Sequence, residues 1–77
     1  MIAFIKLKGY EREYLLNVNS IIAIEDVDDA AGEYDSWVNT VVMVNDVNNS
    51  VSYMCKETVS EVENKLMDLN SDKIKVI

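Results

Sequence analysis

Seventy-seven residues with seven basic and fourteen acidic side chains make one small domain of net charge −7. With no histidine, Ser–His and Cys–His catalysis are excluded, and a single cysteine, Cys55, excludes an intrachain disulfide and a cysteine-rich metal site. The negative balance repels phosphate, so direct nucleic-acid binding and anionic membrane are disfavoured while a basic protein partner is allowed.

The opening run, MIAFIKLKGYERE, sets Lys6 and Lys8 among its apolar residues, whereas a secretory leader carries its charge first and then an unbroken apolar stretch. No run approaches the ~20 apolar residues of a membrane span. The expectation is a cytoplasmic, soluble protein with one core. Ile2–Lys8 reads as the first strand, Gly9-Tyr10-Glu11-Arg12 as a turn and Glu13–Val18 as the second strand, because β-branched and aromatic residues dominate between polar breaks. Lys6, Lys8 and Arg12 fall close together around this hairpin. Ile21–Glu25 forms a third strand.

The stretch EDVDDAAGEYDSW, Glu25 to Trp37, follows and holds six of the fourteen acids with no base. An EF-hand requires acids at positions 1, 3 and 5, glycine at 6 and glutamate at 12. Placing Gly32 at 6 puts Val27 at 1 and Ala31 at 5, and starting from Asp26 puts Ala31 at 6, so neither register binds calcium that way. No metal or cofactor is expected. Carboxylate pairs occur in every acidic segment and indicate no hydrolase, so no catalytic role is assigned. The remaining chemistry is recognition: Asp26, Asp28, Asp29, Glu33 and Asp35 offer negative charge, and Tyr34 and Trp37 add aromatic anchors of the kind found at interface hot spots. Against this stands a structural role, with Trp37 opening the next strand as a core residue and Tyr34 lying on the sheet.

Trp37–Val44, WVNTVVMV, is the most apolar strand; 45–50 is a polar turn; Val51–Cys55 returns, with Cys55 expected buried and inert. The period then changes. Val59, Val62, Leu66 and Leu69 lie on one helical stripe, Thr58 and Glu61 form a capping box, and Glu61 and Lys65 are spaced as an exposed ion pair. Lys73–Ile77 alternates as a last short strand. Several strands are apolar on both faces, and one helix covers only one face. The sheet must therefore curl on itself or be covered by a second copy, and a homodimer or higher homo-oligomer is expected.

Leu16-Asn17, Ile24-Glu25, Thr40-Val41-Val42 and YMCKETVSEV from Tyr53 to Val62 together resemble the small FlbD/SwrD-type proteins of bacterial flagella and swarming, and the phage and bacterial proteins like them. The resemblance covers residues 2–69 and implies the fold; it implies no catalytic residue. The turn Gly9–Arg12 and the acidic loop depart from that pattern.

The fold expected is α+β: a small antiparallel, twisted β-sheet of about five strands with a C-terminal α-helix packed on one face. The function expected is non-catalytic binding of a basic protein surface through residues 25–37, as in an inhibitor or adaptor of phage or bacterial origin. Two alternatives follow from other features. One is a small-ligand-binding, nucleotide-sequestering oligomer with pockets between subunits, using Lys6, Lys8 and Arg12. The other, by resemblance, is a flagellar or swarming regulator.

Overall fold

The computed structural model describes residues 3–28, 32–45, 47–69 and 75–76. Strand β1 (Ala3–Gly9) turns through Tyr10 and Glu11 into β2 (Arg12–Asn17), with Gly9 opposite Arg12 and Ile5 opposite Leu16. One turn of 3-10 helix (Val18–Ser20), capped by the Asn17 side chain on the Asn19 amide, leads into β3 (Ile21–Asp26). After the acidic loop come β4 (Thr40–Asn45), β5 (Ser50–Cys55), helix α1 (Val59–Met67) and β6 (Lys75–Val76). The fold is α+β, with its five longer strands antiparallel and one C-terminal helix packed against them. Residues 73, 74 and 77 of the expected last strand lie outside the described residues.

The strands divide into two three-stranded sheets, β2-β1-β6 and β3-β4-β5, with β6 parallel to β1. Their inner faces meet in one core. Ile5, Leu7 and Leu16 from the first sheet pack with Val42 and Cys55 from the second and Val62 from α1. Tyr14 of β2 meets Tyr53 of β5 edge-on, with ring centroids 4.7 Å apart. Dividing the strands in this way answers the problem that one helix covers one face, because each sheet covers the other. The apolar faces thus do not by themselves require a second copy. On β1, the outward positions Lys6 and Lys8 are exposed and only Phe4 is half-buried, so that strand is one-sided. On β4, Val41 and Val42 are both buried although they point to opposite faces.

Helix α1 forms where its stripe and cap predict. Thr58 accepts the Glu61 amide at 3.2 Å, and the Glu61 carboxylate takes the Thr58 amide and hydroxyl, each at 3.1 Å. That use of Glu61 changes the expected pairing of Lys65. Lys65 reaches instead to Glu57 at 3.4 Å and donates to the Lys6 carbonyl. Glu57 is nearly buried, and both its oxygens accept from the Lys8 amide, at 2.9 and 3.0 Å. The Lys56 amide donates to the Lys8 carbonyl at 2.7 Å, and the Glu57 carbonyl accepts from the buried Thr40 hydroxyl at 2.6 Å. The segment Lys56-Glu57-Thr58 therefore closes the outer edge of β1, ties it to β4 and starts the helix. Backbone groups at such an edge otherwise need water or another strand.

Candidate functional site

The acidic loop leaves β3 at Asp26 and enters β4 at Thr40. Its base is fixed. The Val27 amide donates to the Asn39 carbonyl at 3.1 Å, the Asn39 amide to the Cys55 carbonyl at 2.9 Å, and the Asn39 side chain to the Lys56 carbonyl at 2.7 Å. The Val38 amide donates to the Asp35 carbonyl at 3.0 Å, making a turn over Asp35–Val38. These bonds explain why β4 begins at Thr40 and not at Trp37: the residues before Thr40 are taken up by the turn and by Asn39's contacts with the end of β5. Gly32 sits at φ +69, a conformation that disfavours side chains.

Trp37 neither opens a strand nor enters the main core. It is half-buried and packs on Tyr10 of the β1–β2 turn, centroids 5.9 Å apart and planes tilted by 44°. The loop is thereby held against the first hairpin. Tyr10 itself is 59% exposed and forms the open half of this aromatic pair. Tyr34 lies at the surface. Asp26, Asp28, Glu33 and Asp35 are all exposed, and among the described residues none of their carboxylates forms an ion pair. Asp29 lies outside the described residues. The loop thus has a fixed base, and its described acids face water. Among the described residues no three acids or sulfur ligands converge as a metal site would require.

The basic candidates are placed differently. Lys6 and Lys8 project from the outer face of β1, opposite Leu15 and Glu13 of β2. Lys8 and Arg12 share an open depression of about 380 Å³ with Gly9, Glu11, Glu13 and Lys56, and Lys6 does not line it. Three cations thus face two carboxylates there. Cys55 is fully buried; its thiol is pushed up to about 12 by burial first and by nearby Glu57 second, with Lys65 opposing. It stays protonated and offers no nucleophile.

Two residues that matter escape sequence reasoning. Tyr10 was legible only as part of a polar turn, although a large aromatic at a turn tip is itself a signal of a docking contact. Glu57 gives no local sign that it serves an amide 49 residues away. Comparison with known proteins adds no relative, since no family, no curated protein and no solved structure matches the chain. Among the described residues no helix is long and apolar enough to cross a membrane.

Proposed function

We propose that this chain is a non-catalytic binding protein that presents its acidic loop to a basic protein surface, as an inhibitor or adaptor would. One observation carries the reading: Asp26, Asp28, Glu33 and Asp35 face solvent and form no ion pair among the described residues, on a loop whose two ends are fixed by hydrogen bonds and by the Tyr10–Trp37 contact. Like charges at this density repel one another, and packing gains nothing from them. A basic partner converts the repulsion into attraction and accelerates encounter, with screening over about 8 Å at physiological salt. A fixed base lowers the ordering cost of binding. Tyr10 and Trp37 supply an apolar anchor beside the charge.

The alternative ligand reading is weaker on its own chemistry. Lys8, Arg12 and Lys56 share their depression with Glu11 and Glu13, so a phosphate or nucleotide meets little net attraction. The flagellar reading rests on the FlbD/SwrD resemblance, whose Lys56-Glu57-Thr58 segment is occupied by packing and so bears on fold and not on role.

The test replaces Asp26, Asp28, Glu33 and Asp35 with the corresponding amides. Partners are then captured from host lysate at low and high salt, with cross-linking mass spectrometry locating the contact. The expected result is an unchanged fold and loss of a salt-sensitive partner that cross-links to the loop. A variant that keeps every partner, or cross-links that map away from residues 25–37, overturns the proposal.

A further inference from the structure

Open strand edges recruit further strands, and proteins blunt them with charges, bulges or covering groups. Each longer edge strand here can be checked for such devices. The second half of β1 is closed by Lys56, Glu57 and Lys65. Strand β2 opens with Arg12 and Glu13. Strand β3 carries a bulge between Ile21 and Ala23 and ends in Glu25 and Asp26. Strand β5 has none of these. Its six residues, SVSYMC, contain no charge, no proline and no break in their pairing with β4, and no strand lies on its outer side among the described residues. Val51 and Met54 on it are 37% and 42% exposed. Beside it runs a groove of about 270 Å³ between β5 and β2, lined by uncharged residues that include Leu15, Asn17, Val44, Val51 and Tyr53.

We propose that β5 is the edge through which two copies of this chain associate, pairing antiparallel about a two-fold axis so that two β3-β4-β5 sheets become one. The association does not use the acidic loop and is independent of the function proposed for it. An antiparallel strand edge is its own complement under a two-fold axis, so a single strand supplies both sides. Charge selects the second copy and its direction. Each copy carries −7, so two copies approach closely only where acids are absent, and β5 is the longer edge strand that has none. The acidic loop adjoins the Cys55 end of β5 through Asn39. Antiparallel pairing puts the two loops at opposite ends of the joined sheet, and parallel pairing would put them side by side.

The pleat restricts the register. Cross-strand partners share a face. Val51, Tyr53 and Cys55 alternate onto one face, which carries Tyr53 and Cys55 into the core, so a joined sheet keeps its inner side continuous only in a register that sets this face of one copy beside the same face of the other. Centring the axis on Ser52 is such a register: Ser52 faces the second copy's Ser52, Val51 faces the second copy's Tyr53, and Cys55 lies past the start of the second copy's strand. One strand pair buries less than the ~1,200 Å² of a stable interface, so the dimer is weak and reversible, with a dissociation constant on the order of 100 µM.

Sedimentation velocity from about 10 µM to 1 mM decides the matter, a range that brackets that constant. The parent is expected to pass from monomer to dimer across it. Ser52→Lys sets two like charges opposite each other and should weaken association at least tenfold. Ile22→Lys, at an exposed position on the bulged β3 edge, should leave it unchanged. Circular dichroism checks that each variant is folded, and Ser50→Lys at the strand's start replaces Ser52→Lys if that variant unfolds. A parent that stays monomeric at the top concentration overturns the proposal and leaves the edge to a strand from a different protein. Association that survives the folded β5 variant, or that Ile22→Lys abolishes, overturns it as well.

Discussion

Truncating Glu57 to alanine should be among the more damaging single changes to the fold, although the residue lies in no strand or helix. Its carboxylate accepts the Lys8 amide through both oxygens, at 2.9 and 3.0 Å, from a position only 8% exposed. A hydrogen bond to a charged group contributes about 1.5–3 kcal/mol, and removing the acceptor strands a donor at the edge of β1. The Lys65 pair adds less, because the lysine side chain is 28% exposed and solvent screens it; such pairs contribute about 0–1 kcal/mol. The sum is about 2–4 kcal/mol. A domain of this size is held by on the order of 5–10 kcal/mol, so Glu57→Ala should remove a large part of its stability and lower Tm by about 10–20 °C. Glu57→Gln keeps an oxygen for the Lys8 amide and loses only the charge, so it should lose roughly 1 kcal/mol. Urea denaturation of the three proteins gives the differences, and amide exchange at Lys8 reports whether the loss occurs at the bond in question. A Glu57→Ala variant within about 0.5 kcal/mol of the parent, with unchanged exchange at Lys8, would refute the reasoning.

Gly9→Ala should destabilise by about 1–3 kcal/mol, since its Cβ would meet the Tyr14 ring at 2.7 Å and that ring is held by Tyr53; a thermal melt measures it. Glu11 sits at φ 53 in the turn, so Glu11→Gly should raise stability by up to about 1 kcal/mol, and a lower Tm would show that the Glu11 side chain makes a contact of its own. Cys55 ionises at about 12 in the folded chain against 9.0 ordinarily, so the folded state holds its proton more tightly than the unfolded state. Its contribution is complete below pH 9.0 and is lost as pH rises towards 12, at up to about 1.4 kcal/mol per pH unit. Urea titrations between those limits should show that slope in the parent and a shallower one in Cys55→Ala, and thiol reagents should label the parent only after unfolding.

The sequence alone determined what depends on neighbours along the chain. β-Branched and aromatic composition between polar breaks marked β1, β2 and β3, and alternation marked β5, each to within a residue or two, because both signals lie within a few neighbouring residues. The stripe through Val62 and the Thr58–Glu61 box marked α1 and its start, because both partners of a cap lie within one turn. The acidic loop was visible as composition, and its exposure followed from the cost of burying unpaired charge. Tertiary structure decided which groups met. Lys65 had Glu61 one turn before it and Glu57 two turns before it, and the fold chose Glu57 because the cap had already engaged Glu61. Trp37 had the composition of a strand residue, and the turn from Asp35 to Val38 carried it to Tyr10 instead. The division into two sheets was equally hidden. Strand patterns specify that a face must be covered and leave open what covers it, and here the shared core together with the bonds of Lys56 and Glu57 to β1 holds the second sheet over the first. A hydrogen bond or a ring contact acts over a few ångströms in space, and separation along the chain does not set that distance.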